Sequence, residues 1–312
     1  MKKFSMKEFV QRNIENMLIV FLASVLSFVF LMESPLHPWI GAESSVDSSV
    51  FRTVTLMMEK GYMPYRDSFD HKGPYLYILN WLGNRISENV GIWLIEYFNM
   101  IITLFILYKI ARLVCGKASS MMVTSLAFSL LFDYFEGGNF TEEYAMPLIA
   151  ISLYIFLDYL INQNLSVWRL ISCGCCFAGV LLLRANMCSI WVVFCCYIFG
   201  RTIREKAWDD LRKFIIWFTV GAGILILPIL FWLGFNDALD AFWEAYIVFN
   251  MKYTSAAGGN AILSDKWTSF FHFFNKTIII IAIFSNIYLC SKKRIEDVVY
   301  LCYIGMSLLS IC

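Results

Sequence analysis

The 312-residue chain is 59% hydrophobic and 17% aromatic, carries only 16% charged side chains, and has a mean hydropathy of +0.65. These proportions exceed those of soluble domains and describe a polytopic membrane protein, because a bilayer accepts apolar helices of roughly 20 residues directly. A net charge of +1 supplies no basic field for nucleic acid, so none is expected as a partner; the bilayer is the first partner.

Apolar runs at 17–33, 91–114, 119–134, 143–162, 168–183, 186–202, 213–233, 276–290 and 297–312 read as membrane helices. The first is followed by Glu33, Pro35 and Pro38 rather than a small-residue cleavage site, and is read as a retained span. The last stops at Cys312 without flanking charge, so the chain is expected to continue beyond it. With no repeat or linker visible, residues 1–312 read as one membrane domain, truncated at its carboxy terminus. Most of the ten cysteines lie inside apolar runs. Cys173 and Cys176 form a CxxC without a second such pair or a nearby histidine, so they read as small packing residues rather than a zinc or redox site.

Lys2, Lys3, Lys7 and Arg12 share one side with Lys109, Arg112, Lys117, Arg169, Arg201, Arg204, Lys206, Arg212, Lys213 and Lys292–Arg294. Retention of positive charge makes that side the cytoplasm. The extracytoplasmic face then receives the segment 34–90, the short loop 133–143, a tight turn at Arg184–Asn186 and the loop 235–276.

Segment 34–90 holds the densest run of ionisable groups. Ser44, Ser45 and Asp47 are helix-start residues and Gly61 a stop. Between them Val50, Phe51, Val54, Met57 and Met58 are expected on one face of an interfacial helix over 47–60. Turns follow at 61–64 and 70–74, with Pro74 placed to open a helix of roughly thirteen residues, about 20 Å long and too short to cross a 30 Å core. This layout brings Asp47, Asp67, Asp70, His71 and Lys72 to one membrane boundary. Asp47 as a helix cap and the remainder as a solvated loop is the competing reading. Glu136, Glu142, Glu143, Glu96 and Arg184 reach the same depth, where ionisable groups are costly unless paired or used. Snorkelling for Arg184, dipole complementation for Glu142 and Glu143, and pairing with a neighbouring helix for Glu96 stay open beside functional roles. Asn139-Phe-Thr141 fits a glycosylation acceptor pattern that is common by chance.

The acidic residue opening a surface helix, then GYMPYRD, DHKGP, a short helix, a span and GGNFTEEYAMP at 137–147, together resemble the polytopic glycosyltransferases of the C-type fold. The resemblance is specifically to their family 39-like members, which include protein O-mannosyltransferases and aminoarabinose transferases acting on lipid A. The resemblance runs from the first span to about Arg184. It implies an all-α transmembrane bundle, with 34–90 as its outer catalytic loop. It further implies transfer of a sugar from a polyprenyl-phosphate donor to an extracytoplasmic acceptor: glycan, lipid or protein. By this resemblance Asp47 matches the family's catalytic acidic position, Lys72 the lysine that would contact the donor phosphate, and Glu142 or Glu143 the second acidic position. Ser48 stands where many relatives have a second acid, and Gly73 where they have proline, which leaves a bound divalent metal open.

Residue chemistry agrees with these roles. A hydroxyl acceptor needs a carboxylate base, for which Asp47 is the candidate, and a departing lipid phosphate needs fixed cations, for which Lys72 and Arg184 are candidates. Asp70 and His71 complete the expected substrate contacts. With no evident covalent nucleophile, inversion at the sugar is expected. The rival function is a transporter or lipid-linked sugar flippase, whose usual midplane charges and related halves are not seen in this sequence.

Overall fold

A computed structural model describes residues 6–34, 36–39, 45–132, 138–163 and 165–258. The runs at 276–290 and 297–312, together with His272 and Glu136, lie outside them. Among the described residues the fold is all-helical, with no strand beyond an isolated bridge between Pro64 and Ser68. In chain order the helices are α1 (Met6–Phe30), α2 (Val46–Glu59), α3 (Pro74–Ile86), α4 (Gly91–Val114), α5 (Lys117–Phe132), α6 (Thr141–Asn162), α7 (Val167–Leu181), α8 (Ser189–Arg204), α9 (Trp208–Phe235), α10 (Leu239–Phe242) and α11 (Phe249–Gly258). Segments Asn13–Phe30, Gly91–Val114, Thr141–Asn162, Ala185–Arg204 and Trp208–Phe235 are long and apolar enough to cross a membrane, consistent with an integral membrane protein. The shorter α7, at 15 residues, is apolar as well.

By their contacts, the described residues fall into two compact units. One is drawn from Met1–Gly61 and Pro74–Tyr154, the other from Tyr62–Gly73 and Ile155–Cys312.

In the first unit α1 and α4 pack around Ala23, Phe30, Leu31, Ile92, Trp93, Met100 and Leu104, all nearly solvent-free. Lipid tails are as apolar as leucine, so such packing rests on close fit more than on escape from water. α3 lies against both α2 and α4, and its approach to α4 is a glycine crossing. A Cβ on Gly91 would stand 1.8 Å from the Gly83 carbonyl oxygen. At one end of α1 and α4, Glu15 accepts from Tyr108 Oη at 2.6 Å and pairs with Arg112 at 3.2 Å and Lys117 at 2.5 Å, absorbing two of the cations that set the expected orientation.

α2 keeps most of its expected face, with Met57 and Met58 half-buried. Phe51 and Val54 are buried, but so are the polar Ser48 and Thr55, while Val50 is exposed. Ser48 is drawn inward by a hydrogen-bonded partner, which turns the helix so that positions 48, 51 and 55 lead the buried stripe. Thr55 satisfies its hydroxyl on the Phe51 carbonyl at 2.8 Å.

In the second unit α7 and α9 pack backbone to backbone. A Cβ on Gly174 would lie 2.1 Å from the Phe218 carbonyl oxygen and one on Gly221 2.1 Å from that of Ile171. Cys173 and Cys176 are buried on α7, and the Cys175 thiol donates to the Gly221 carbonyl at 3.1 Å, as packing residues do. The described part of segment 235–276 is helical rather than a loop: α10 runs through a π-helical stretch, Trp243–Val248, into α11.

Candidate functional site

In the first unit Gly138 (φ +100°) and Asn139 (φ +61°) turn the chain into α6, and this left-handed corner aims Asn139 inward. Its side chain is fully buried. Its Nδ2 donates to Ser48 Oγ at 3.1 Å and Asn80 Oδ1 at 2.8 Å. Its Oδ1 accepts from Asn80 Nδ2 at 2.9 Å and Tyr144 Oη at 2.7 Å. Its backbone N–H donates to Glu96 and, at 3.1 Å, to Glu143. The two carboxyl groups also hydrogen-bond to each other, and Ser34 reaches Glu96 at 3.4 Å. One residue therefore joins α2, α3, α4 and α6.

This polar hub resolves several expectations. Asn139 is a structural tie rather than an exposed glycosylation acceptor. Glu96 is paired, as one of its two readings held. Glu143, 7% exposed, is engaged within the hub, whereas Glu142 is exposed and accepts from Thr141 Oγ1 at 2.7 Å. Asp47 lies exposed in the first turn of α2, whose cap is Ser45: its Oγ accepts from Ser48 N at 3.2 Å.

His37 was outside the expected site. It is 3% exposed among Phe28, Trp39 and Trp93, with ring centroids at 5.3–5.7 Å. Burial depresses its basicity below the ordinary histidine value.

The second unit brings together residues that sequence reasoning named separately. A cavity of about 180 Å3 is lined by His71, Lys72, Leu183, Arg184, Ala185, Asn186, Tyr246, Asn250 and Tyr253. The loop that supplies His71 and Lys72 is fixed from several directions. Tyr65, itself in a left-handed conformation (φ +70°), donates its hydroxyl to the Lys72 carbonyl at 2.7 Å. Asn250 Nδ2 donates to the His71 carbonyl at 2.8 Å, and Gly73 N to the Leu183 carbonyl at 3.0 Å. A Cβ on Gly73 would lie 1.9 Å from the Leu182 carbonyl oxygen. A proline there would forfeit the N–H bond and collide, which is the physical reason for glycine in this chain's DHKGP.

Asp70, 8% exposed, accepts from His71 N at 2.6 Å, and its Oδ1 lies 3.4 Å from His71 Nδ1. Tyr246 donates to the Leu181 carbonyl at 2.5 Å. Burial pushes the Tyr65 and Tyr246 phenols well above the ordinary tyrosine value, so both remain donors. At the other end of the loop the Arg66 guanidinium grips Asp67, which also accepts from Met63 N at 2.7 Å. This holds the Asp67 carboxyl down to about 2, the Arg66 bond being the larger cause. Arg66 reaches on to the Asn236 carbonyl at 2.7 Å.

Three nitrogen-bearing side chains that can carry positive charge thus meet at one cavity, a donor set suited to an anion. Among the described residues no group of three or more His, Cys, Asp or Glu gathers as a metal site would require. Asp47, Glu142 and Glu143 belong to the first unit.

Apolar helices of spanning length are consistent with an integral membrane protein, and His71, Lys72 and Arg184 line one cavity beside the α7–α8 turn. The chain belongs to the family described as "Putative competence-induced protein Ccs4 N-terminal domain", which matches residues 6–311. No curated protein and no solved structure matches it.

Proposed function

We propose that the protein is a glycosyltransferase of the C-type fold. In this reading it transfers a sugar from a polyprenyl-phosphate donor to an acceptor on the extracytoplasmic face of the cell membrane. The observation that supports it is the convergence of His71, Lys72 and Arg184, from two distant stretches of chain, on one cavity of phosphate-accommodating size. As the sugar departs, negative charge grows on the lipid phosphate, and preorganised cations stabilise that charge more than they stabilise the donor.

Asp47, exposed in the first turn of α2, is the proposed base; removing the acceptor's proton contributes roughly 100- to 10,000-fold. Glu142 is the member of its pair proposed to meet substrate, since Glu143 is committed to the hub. A single displacement inverts the anomeric centre.

The test is product formation from labelled polyprenyl-phosphate sugars by the purified protein in lipid nanodiscs, beside Asp47→Asn. Transfer that vanishes in the variant supports the reading. Intact donors with candidate acceptors present, while a fluorescent lipid-linked sugar crosses the bilayer, replace it with the flippase.

A further inference from the structure

We infer that His71 is the residue by which this cavity prefers a phosphomonoester dianion, the released lipid phosphate, to the phosphodiester that joins it to a sugar. The inference rests on the proposed reading of the cavity as the lipid-phosphate site. The cavity, of about 180 Å3, is well above the roughly 10–15 Å3 that a single water needs.

The loop is prepared for an anion in its backbone as well as its side chains. Carbonyl oxygens repel phosphate, and the two on the loop that supply the cationic groups are already occupied, that of His71 by Asn250 and that of Lys72 by Tyr65. The His71 ring lies against Phe249 and Tyr253, at centroid distances of 5.6 and 6.4 Å, with Asp70 Oδ1 3.4 Å from its Nδ1; the other charged or titratable side chains lining the same cavity are Lys72 on its own loop, Arg184 from the turn after α7, and the phenols of Tyr246 and Tyr253. Asp70 favours the protonated imidazole, while Lys72 and Arg184 oppose it.

The ligand's charge decides the balance. A phosphodiester carries one negative charge, which Lys72 and Arg184 already exceed. A phosphomonoester carries about −1.5 to −2 near pH 7, and its second charge favours a proton on His71. Protonation of His71 therefore follows the appearance of that second charge, which arises when the sugar–oxygen bond to the phosphate breaks. The proton on His71 comes from solvent, and raising the pH removes it and loosens the product.

The experiment is calorimetric binding to the purified chain in nanodiscs between pH 6.5 and 8.5. The probes are farnesyl phosphate, its methyl diester and inorganic phosphate. At pH 6.5 the monoester is expected to bind roughly tenfold tighter than the diester, the effect of one charge-assisted hydrogen bond. This advantage shrinks toward pH 8.5, and near pH 7.5 binding takes up as much as one proton, as read from buffers of different ionisation enthalpy. Both signatures disappear in His71→Gln, while Asp70→Asn moves the decline to lower pH. Equal affinity for the two esters, or an unchanged pH slope in His71→Gln, overturns the inference. If that variant does not fold, absence of proton uptake by the parent chain overturns it alone. Inorganic phosphate binding as tightly as farnesyl phosphate keeps the role of His71 but assigns it to free phosphate and counts against the lipid donor. Ester selectivity without sugar transfer removes the transferase reading only, and transfer without selectivity removes this inference only.

Discussion

The polar hub around Asn139 and the cavity beside Arg184 are built from the same kinds of side chain to opposite ends. In the hub two carboxyl groups, two amides, a phenol and two serines are buried and bonded mainly to one another, so the polar groups there stabilise a join between four helices. At the cavity the loop backbone is held by Tyr65, Asn250 and the Gly73 N–H, and His71, with Asp70 beside it, lines a hollow together with Lys72 and Arg184. A buried charge whose bonds are internal argues for architecture; charge gathered at a hollow whose frame is bonded elsewhere argues for a ligand.

That contrast predicts a ranking of substitutions. Gly73→Ala should do most harm, because its methyl would enter the Leu182 carbonyl; a loss of more than about 3 kcal/mol is expected, together with loss of phosphate binding, read by unfolding titration and calorimetry. Asn139→Ala comes next, stranding Ser48, Asn80 and Tyr144 for about 2 kcal/mol. Stability unchanged in Asn139→Ala would show that the hub is not the tie it is taken to be. Lys72→Ala inverts the pattern: about tenfold weaker phosphate binding, with stability within about 0.5 kcal/mol of the parent. If Lys72→Ala instead unfolds the protein with its affinity intact, the cavity is architecture too.

The smallest effect belongs to Asp67. Its carboxyl, held to about 2 in the fold against about 4 unfolded, contributes stability that is complete above pH 4 and lost as the pH falls through 2. Melting temperatures of the parent and Asp67→Asn should therefore converge over that interval and differ by a constant amount above it.

Much of the frame was legible in local pattern. The span expected at 91–114 is α4, the interfacial helix expected over 47–60 is α2 at Val46–Glu59, and Pro74 opens α3. Gly61 stops α2 with φ +89°. These features are written in neighbouring residues: apolar run length, caps, and the fixed geometry of proline and glycine. The candidate cations were also visible, His71 and Lys72 in the DHKGP turn of the first outer loop and Arg184 in a turn too short to stand clear of a membrane. The hub was not. Asn139 advertised a glycosylation pattern, and nothing within ten residues of it reveals Ser48, Asn80 or Glu96 as partners. The polar Ser48 in the buried stripe of α2 escaped notice for the same reason, since a serine turned inward by a distant amide leaves no trace in hydrophobic periodicity.

The π-helical stretch Trp243–Val248 gives the cavity a mechanical property. A helix wound wide over six residues stores a surplus of chain, and tightening it by one residue would rotate everything downstream by about 100°. Such a rotation would carry Asn250 away from the His71 carbonyl and Tyr253 out of the cavity wall. The pitch of that helix is therefore a gauge of the cavity's shape. Any ligand that touches Tyr253 or Asn250 in one winding and not in the other biases the winding by the difference, and a molecule seated in the hollow acts on the screw of the helix that encloses it.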